Sequence, residues 1–382
     1  MRPINKFKRL LPPSSRSFHT FEDNSYQRMD NLEAQIHDLQ TQTHDLEAQA
    51  QRLVNQNERL ISLVEDLQKT SQQEHAYEQD RDMMLYWQMF RRDGESLEAA
   101  QLRFFRGLPK ETGIHKLFQD AEAALFSQFD VLCRQHDILY WGSGGTILGA
   151  YRHQDFIPWD DDIDVYITRD QLQKLEQVVR EDGRFRVTVL WDWYVPCKQI
   201  RFRSADEDNP CFVDLFTLDW AKGDPQQVWD AGVEQRKSFV SEIRTHFGDT
   251  NWPQTPYLPS SDPLAPKLEA TLDAQLDNLK ATCDILPNQT GATCLVEGPE
   301  NIDDTNPSGP YPIEEWLPVE HLRFRDLEVP VPAGWKTYLS KLYGDYMAIP
   351  KDINSHEHVA DDYIESSQSV AAMHRLIDEA EK

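Results

Sequence analysis

The stretch that decides the fold runs from Tyr140 to Tyr166 and reads YWGSGGTILGAYRHQDFIPWDDDIDVY. It predicts a strand that ends in a glycine-rich turn, then a short helix over residues 146–151, then a second strand. Side chains alternate along a strand, so we expect Asp160, Asp162 and Asp164 on one face and Asp161 on the other. Strands and helices that alternate in this way predict an α/β (α+β) domain.

The residue types in this stretch indicate a metal-assisted phosphoryl-transfer site. Carboxylates held close together repel one another unless a cation lies among them, and hard oxygen ligands suit Mg²⁺ or Mn²⁺. Gly144 and Gly145 allow the backbone to approach a phosphate, and the following helix would direct its N–H groups towards it. The hydroxyls of Ser143 and Thr146 could donate to the phosphate, or serve only the turn and the helix cap.

Further candidates lie outside this stretch. Asp214 is isolated among apolar residues in CFVDLF, so it is expected either to bind metal and accept a proton or to form a buried salt bridge with an arginine. Arg152, Lys198 and Arg201 could bind phosphate, or could pair structurally with the acidic cluster.

Together these motifs resemble the signature of the LicD/fukutin-related family, a branch of the nucleotidyltransferase-like superfamily. The matching residues are Gly145-Thr146, Leu148-Gly149, Arg152-His153, Ile157-Pro158-Trp159-Asp160, Asp162 and Asp164. The blocks 198–201, 212–219, 316–318, 329–332 and 338–347 resemble later parts of the family in the same order. The likeness covers about residues 115–360.

The resemblance implies a nucleotidyltransferase-like mixed sheet with flanking helices and an enzyme that uses Mg²⁺ or Mn²⁺. It implies transfer of a phospho-substituent, with phosphocholine expected, from a CDP-activated donor to a sugar or polyol hydroxyl, with release of CMP. The acceptor would be a cell-surface glycopolymer: lipopolysaccharide, teichoic acid or capsule. CDP-ribitol or CDP-glycerol is an alternative donor, and a non-catalytic coiled-coil assembly protein is the alternative of another class.

A leucine heptad precedes this domain. Leucine occupies the d positions 32, 39, 46, 53, 60 and 67, and the a positions include Ile36, Asn57 and Val64. Leucine at d with one asparagine at an a position favours a parallel two-stranded coiled coil, so the sequence predicts a homodimer. A single amphipathic helix folded onto its own domain is the alternative. We assign residues 1–25 to a flexible arm, 26–75 to the coiled coil, 76–113 to a helical neck and 114–382 to the catalytic domain.

Within the catalytic domain, residues 221–298 interrupt the α/β pattern. We expect helices near Pro225–Thr245 and Lys267–Cys283 around a proline-rich loop, forming a lid or an acceptor-binding insertion. Strands are predicted at about 138–141, 185–191, 195–202 and 212–218.

Composition limits the partners and the compartment. The net charge of −26 argues against a nucleic-acid partner. Five scattered cysteines without a C-x-x-C pair suggest reduced thiols and a cytoplasmic protein. We predict no signal peptide and no membrane span, although Ile4, Phe7 and Leu11 among basic residues could make a peripheral contact with the inner face of the membrane.

Overall fold

The computed structural model describes residues 13–301, 308–349 and 359–381. The chain divides into two units, one ending at Met89 and one beginning at Phe90. The predicted membrane contact at Ile4, Phe7 and Leu11 lies outside the described residues, as do residues 350–358 of the family resemblance.

The first unit is formed by helix α1, which spans Pro13–Phe90 and continues into the start of the second unit. Residues 13–25, which were predicted as part of a flexible arm, are helical. Pro13 is compatible with the start of this helix because the N–H that proline lacks would have no partner in the first helical turn. The six d-position leucines are 55–68% exposed. A long helix with an exposed leucine stripe is therefore confirmed, whereas its pairing with a second copy stays a prediction. None of the described helices carries an apolar stretch long enough to span a bilayer.

The second unit combines a mixed sheet with helices. Its helices are α2 (Leu97–Arg106), α3 (Gly113–Gln135), α4 (Gly144–Arg152), α5 (Arg169–Asp182), α6 (Pro225–Phe247), α7 (Ala265–Thr282), α8 (Ile313–Trp316), α9 (Trp335–Tyr343), α10 (Asp361–Ile364) and α11 (Ser367–Ala380). Its strands are β1 (Tyr140–Gly142), β2 (Asp164–Thr168), β3 (Phe185–Asp192), β4 (Cys197–Ser204), β5 (Val213–Lys222), β6 (Tyr257–Pro259), β7 (Asp284–Leu286), β8 (Cys294–Glu297), β9 (Tyr311–Pro312), β10 (Glu320–Phe324) and β11 (Leu327–Val331).

The main sheet has the strand order β1-β2-β5-β4-β3-β6, with β7 and β8 also paired to β5 and β9 paired to β8. Strands β2 and β5 run parallel, while β1, β4, β3 and β6 join by antiparallel pairs. Helix α3 packs its apolar side, including Phe126 and Phe129, into the main core. The predicted mixed sheet with flanking helices is confirmed.

The predicted helical neck is interrupted. Helix α1 ends at Phe90 and α2 begins after Ser96, whose hydroxyl accepts a hydrogen bond from the Ala99 amide. Gly94 between them has φ +77°, a conformation that ends a helix at little cost only for glycine.

Residues 221–298 are integrated into the sheet. Both predicted helices are present as α6 and α7, and they share a small core with Trp191 and Trp252. Strand β6 from this segment pairs with β3, and β7 and β8 pair with β5. The segment therefore widens the sheet on the β3 side as well as covering it with helices.

Candidate active site

The glycine turn connects β1 to α4. Gly144 has φ +45°, in the region that favours glycine. A Cβ on Gly145 would lie 2.5 Å from the Asp160 carboxylate, so any larger residue at this position would displace that carboxylate. The predicted strand, glycine turn and helix are present, and Asp160 lies directly against the turn.

The aspartate run departs from the predicted geometry. Strand β2 begins only at Asp164, and the Asp160 amide closes a turn onto the Ile157 carbonyl at 3.0 Å. The alternation that placed Asp160, Asp162 and Asp164 on one strand face therefore does not apply before Asp164. The strand is therefore shorter than predicted, yet Asp160, Asp162 and Asp164 still line one cavity, and Asp161 is not among its lining residues.

Asp162, Asp164 and Asp214 nevertheless converge. Asp164 and Asp214 are directly paired in the parallel register of β2 and β5, so their side chains share a face. One carboxylate oxygen from each of the three residues lies within 4.8 Å of the others, and among the described residues they form the group that could hold a metal. Asp160 is not a member of this group but lines the same cavity. We call Asp162, Asp164 and Asp214 the carboxylate cluster.

The electrostatics of the cluster favour a cation. Burial, together with the charges of Asp162, Asp214 and Asp160, raises the pKa of Asp164 well above its usual value, and Arg201 opposes this only in part. Closely spaced carboxylates repel one another when all of them are ionised. A bound Mg²⁺ or Mn²⁺, which prefers such oxygen ligands, would offset this repulsion.

Asp214 forms the salt bridge that one of its two alternatives predicted, and it also lies where the other alternative, metal binding, requires it. Its Oδ1 accepts a hydrogen bond from Arg201 Nε at 2.8 Å, and its carboxylate also belongs to the cluster. The guanidinium of Arg201 lies 3.7 Å from the centroid of the Phe212 ring, which fixes its orientation. Arg201 thus holds Asp214 in place beside the other two carboxylates.

A cavity of about 520 Å³ opens beside the cluster, on the side of β2 and α4. Asp162 and Asp164 form part of its wall, and Arg152, Trp159 and Tyr346 line it further along. The Arg152 side chain is 4% exposed, donates from Nη1 to the Tyr346 carbonyl at 3.1 Å, and lies over the Phe105 ring.

Arg152 has no carboxylate in salt-bridge range within the described part of the chain, and its Nε has no hydrogen-bond partner there. Burial lowers its pKa to about 10, so it stays positively charged at neutral pH. A buried cation without a counter-ion at the wall of a cavity is suited to binding an anion.

The structure does not bring Lys198 to the cluster, contrary to the sequence expectation. Lys198 and Arg201 are three residues apart on β4, so their side chains lie on opposite faces of the sheet. Lys198 pairs with Glu269 of α7 at 2.8 Å and lies 5.7 Å from the centroid of the Trp191 ring. It is held on the face that α6 and α7 cover.

The two predicted hydroxyls support the backbone of the site. Thr146 Oγ1 accepts a hydrogen bond from the Asp164 amide at 2.8 Å, and Ser143 Oγ lies 3.2 Å from the Tyr338 hydroxyl. Tyr338 also accepts a hydrogen bond from the Gly144 amide at 3.1 Å. Sequence reasoning did not identify Tyr338 as a site residue, because it comes from α9, far along the chain; its block in the family resemblance was the available signal.

A second group of buried carboxylates lies further along β5. Arg169 donates to Asp219 at 2.9 Å and to Glu300 at 2.7 Å, and Thr217 donates to Glu300 at 2.6 Å. Burial acts to raise the pKa of Glu300, yet the charge and hydrogen bonds of Arg169 and the bond from Thr217 hold it below its usual value. Asp219 and Glu300 thus both have Arg169 as their partner.

A glycine turn leading into a helix, followed by carboxylates on one strand and on its parallel neighbour, defines a nucleotidyltransferase-type domain. Comparison with known proteins agrees with the resemblance: residues 137–254 match the LicD/FKTN/FKRP nucleotidyltransferase domain. The family resemblance seen in the sequence is thus confirmed.

Two relatives illustrate the range of the family. The chain is 26% identical over 247 residues to the lipopolysaccharide cholinephosphotransferase LicD of Haemophilus influenzae, covering 61% of this chain and 91% of the relative. It is 46% identical over 87 residues to the human ribitol 5-phosphate transferase FKRP, covering 21% of this chain and 16% of the relative. The predicted enzyme class, a transferase of phospho-substituents, is confirmed by these relatives.

Proposed function

We propose that the protein transfers phosphocholine from a CDP-activated donor to a hydroxyl of a cell-surface glycan or glycolipid and releases CMP. The observation that carries this proposal is the carboxylate cluster with the Arg152 cavity beside it, in a domain of the LicD/FKTN/FKRP family. A non-catalytic assembly protein is disfavoured, because a scaffold would gain nothing from three converging carboxylates, one of which, Asp164, has a pKa raised by burial and by the charges of its neighbours.

We infer that Asp162, Asp164 and Asp214 hold a divalent cation, with Mg²⁺ or Mn²⁺ the candidates and Asp160 close enough to orient bound water. When bound, the ion would neutralise the pyrophosphate of the donor and stabilise the departing CMP. The protein supplies the positions of these carboxylates through the β2–β5 register, the Thr146 hydrogen bond to the Asp164 backbone and the Arg201 hydrogen bond to Asp214.

In the proposed reaction, an acceptor hydroxyl attacks the distal phosphorus of the donor. A new phosphorus–oxygen bond forms to the acceptor, and the bond from that phosphorus to the bridging oxygen of CMP breaks. Asp214 takes the proton of the acceptor hydroxyl, and the bridging oxygen leaves with the electron pair on CMP. Arg152, at the wall of the cavity, binds a phosphate oxygen and keeps the phosphorus in line with the acceptor.

The walls of the cavity favour a choline head group over ribitol or glycerol. Trp159, Tyr343 and Tyr346 line the cavity, and Asp345 adds a carboxylate near its mouth. Aromatic faces attract a quaternary ammonium ion, and a carboxylate adds to that attraction. A neutral polyol would require several hydrogen-bonding side chains in their place, so CDP-ribitol and CDP-glycerol remain the second candidates.

Incubation of the full chain with CDP-choline, CDP-ribitol or CDP-glycerol, Mg²⁺ and a soluble glycan tests this proposal. We expect CMP release that is fastest with CDP-choline and that stops when a chelator removes the metal. Equal rates with all three donors would contradict the choline assignment, and no release from any of them would contradict the proposed function.

We further propose a parallel homodimer through residues 29–67. Its support is the exposed d-position leucine stripe, because a helix with such a stripe buries it by pairing. Light scattering should give a dimer for the full chain and a monomer after deletion of residues 1–75. Asn57→Val should strengthen the association and loosen its specificity; a monomeric full chain would exclude the coiled coil.

We also propose a cytoplasmic location. The five cysteines are all free and buried, as expected of a protein that folds in a reducing compartment.

A further inference from the structure

A row of side chains extends from the carboxylate cluster across β4, β3 and β6. The Arg152 cavity lies on the other side of the cluster, towards β2. Arg201 is paired with Asp214, and alternation along β4 puts Gln199 and Cys197 on the same face as Arg201. Cys197 is paired with Asp192 on β3, and Asp192 is paired with Tyr257 on β6. The pairing of β5, β4, β3 and β6 therefore places Asp214, Arg201, Asp192 and Tyr257 on the same face of the sheet.

Hydrogen bonds along this face support the register. Gln199 Nε2 donates to Asp192 Oδ2 at 3.2 Å, and Asp192 Oδ1 accepts a hydrogen bond from the Tyr194 amide at 2.7 Å. Asp192 is 6% exposed, so it positions its neighbours from below the surface. The Gln199 Oε1 atom is buried and has no hydrogen-bond partner within the described part of the chain.

The far end of the row is an exposed pair of tyrosines. Tyr194 is 65% exposed and Tyr257 is 51% exposed, and their ring centroids lie 6.1 Å apart in an edge-to-face arrangement. Exposed aromatic side chains at a rim of polar groups usually mark a recognition surface, because their rings offer apolar faces and their hydroxyls remain hydrated. Tyr257 also lies beside Asp192 in the register of β6 and β3, which places the tyrosine pair at the end of the face that begins at Asp214.

We propose that Tyr194, Tyr257 and Arg201, here called the acceptor strip, bind an oligosaccharide whose reacting hydroxyl lies at Asp214, with Gln199 and the buried Asp192 supporting them from below. This inference rests on the proposed function for the identity of the reaction but not for the binding itself. A sugar chain fits the strip because its C–H faces pack on tyrosine rings while its hydroxyls bond to the tyrosine hydroxyls and to the guanidinium of Arg201.

The positions of the strip and of the cavity suit transfer between two substrates. In the strand order β2-β5-β4-β3-β6, the cavity lies on the β2 side of the carboxylates and the strip on the β4 side. A donor and an acceptor on opposite sides of the cluster can align for in-line displacement.

The length of the strip indicates an extended ligand. From Arg201 to the level of Tyr257 is four residues, about 13 Å along β4, and two strand spacings, about 10 Å, across the sheet. A monosaccharide cannot reach both the tyrosines and Asp214, so the strip selects a chain of several sugars.

Binding can be measured without any donor. Saturation-transfer NMR on the full chain uses three soluble probes: the core oligosaccharide of lipopolysaccharide, delipidated teichoic acid and capsular fragments. We expect at least one probe to bind wild-type protein, and we expect Tyr194→Ala combined with Tyr257→Ala to weaken that binding about tenfold. Tyr363→Ala is the matched control, because Tyr363 is 44% exposed on α10, outside the strip.

Kinetics then relate binding to transfer. The double variant should raise the KM for the oligosaccharide about tenfold, with the KM for the donor and the KM for a methyl glycoside acceptor near their wild-type values. An equal loss with the short acceptor, or the same loss in Tyr363→Ala, would overturn the assignment.

The failure of each proposal is recognisable. If wild-type protein binds an oligosaccharide through the tyrosines but releases no CMP from any donor, the proposed function fails and the strip stands. If no glycan binds wild-type protein, the strip assignment fails whatever the donor assay gives. Binding of phosphatidylglycerol vesicles that the double variant loses, with no glycan bound, would instead assign the surface to lipid and overturn it.

Discussion

Two groups of carboxylates each have one member on the central strand β5, Asp219 in one and Asp214 in the other, and their electrostatic surroundings differ. Asp219 and Glu300 share Arg169, which holds the pKa of Glu300 below its usual value, whereas burial leaves the pKa of Asp219 raised despite the same arginine. Asp164 lies among other carboxylates, and burial together with these charges raises its pKa well above the usual value. One group has its positive charge built in, and the other is arranged to receive more positive charge than Arg201 provides.

The difference separates a structural network from a functional one. An unpaired buried charge costs stability, so a purely structural role would favour an arginine partner for every buried carboxylate, as Arg169 provides for Asp219 and Glu300. The electrostatic strain at Asp164 is a cost that a bound cation removes. Each of the following variants tests whether the two groups are as different as their contacts indicate.

The largest effect is expected at the carboxylate cluster. Asp162→Asn or Asp164→Asn should lower turnover by about 10³-fold or more, because each loses a charged metal ligand with little change in shape. Steady-state CMP release measures this. Asp161→Asn is the control and should be mild; if it proved equally damaging, the assignment of ligands would be wrong.

Asp214→Asn should lower transfer to the hydroxyl acceptor by about 10³-fold, since it removes both a ligand and the proposed proton acceptor. Donor binding should survive better than in the Asp162 and Asp164 variants, because those two carboxylates remain. Calorimetry with CDP-choline and Mg²⁺, run beside the transfer assay, separates the two effects. Near-normal transfer would reduce Asp214 to a partner of Arg201.

Glu300→Gln should destabilise the fold by about 3 kcal/mol, because Arg169 would keep a buried charge with one partner fewer. Activity per folded molecule should change little, and urea unfolding gives the free energy. Glu269→Gln is the matched control: its pair with Lys198 is partly exposed, so the loss should stay below about 1 kcal/mol. A smaller loss for Glu300 than for Glu269 would remove the contrast between the two groups.

Arg152→Met should raise the KM for the donor by about 10- to 100-fold, since the cavity loses its cation. Stability should hold or rise slightly, because Arg152 is buried without a carboxylate partner in the described chain. Arg152→Lys should recover only part of the loss, as it keeps the charge but not the bidentate fork. An unchanged KM with reduced stability would make Arg152 structural.

The smallest effect is on stability without metal. Because the folded-state pKa of Asp164 is raised, its ionisation penalises the fold; the penalty is absent below the unfolded pKa of about 4 and grows as pH rises above it. In chelator, Asp164→Asn should therefore be more stable than wild type by about 1 kcal/mol at pH 8 and by less at pH 5. Thermal unfolding at both pH values checks the sign. An equal difference at both would exclude the carboxylate as its cause.

Much of the site could be predicted from local pattern. The glycine turn, Asp162, Asp164 and the isolated Asp214 were identified because each breaks a simple rule of burial or spacing. The helix at residues 29–67 and the helices α6 and α7 followed from periodicity. These features depend on neighbours close in the chain.

The remaining features depended on strand boundaries and distant partners. Lys198 and Arg201 look equivalent in sequence. They lie on opposite faces of the sheet because they are separated by an odd number of positions on β4. The start of β2 at Asp164 depends on a turn that local alternation does not reveal. Tyr338 reaches the glycine turn through the packing of α9, and cross-strand register decides which face carries Tyr257, features for which a single sequence gives little signal.

The parallel pairing of β2 and β5 also has a kinetic consequence. Asp164 and Asp214 are fifty positions apart, and the chain between them forms α5, β3 and β4 before it returns. Such a non-local pair closes late, because loop-closure entropy must be overcome before its contacts form. A cation that binds the finished pair would therefore leave the folding rate almost unchanged and slow unfolding instead, so that its effect would be seen as a longer lifetime of the native state.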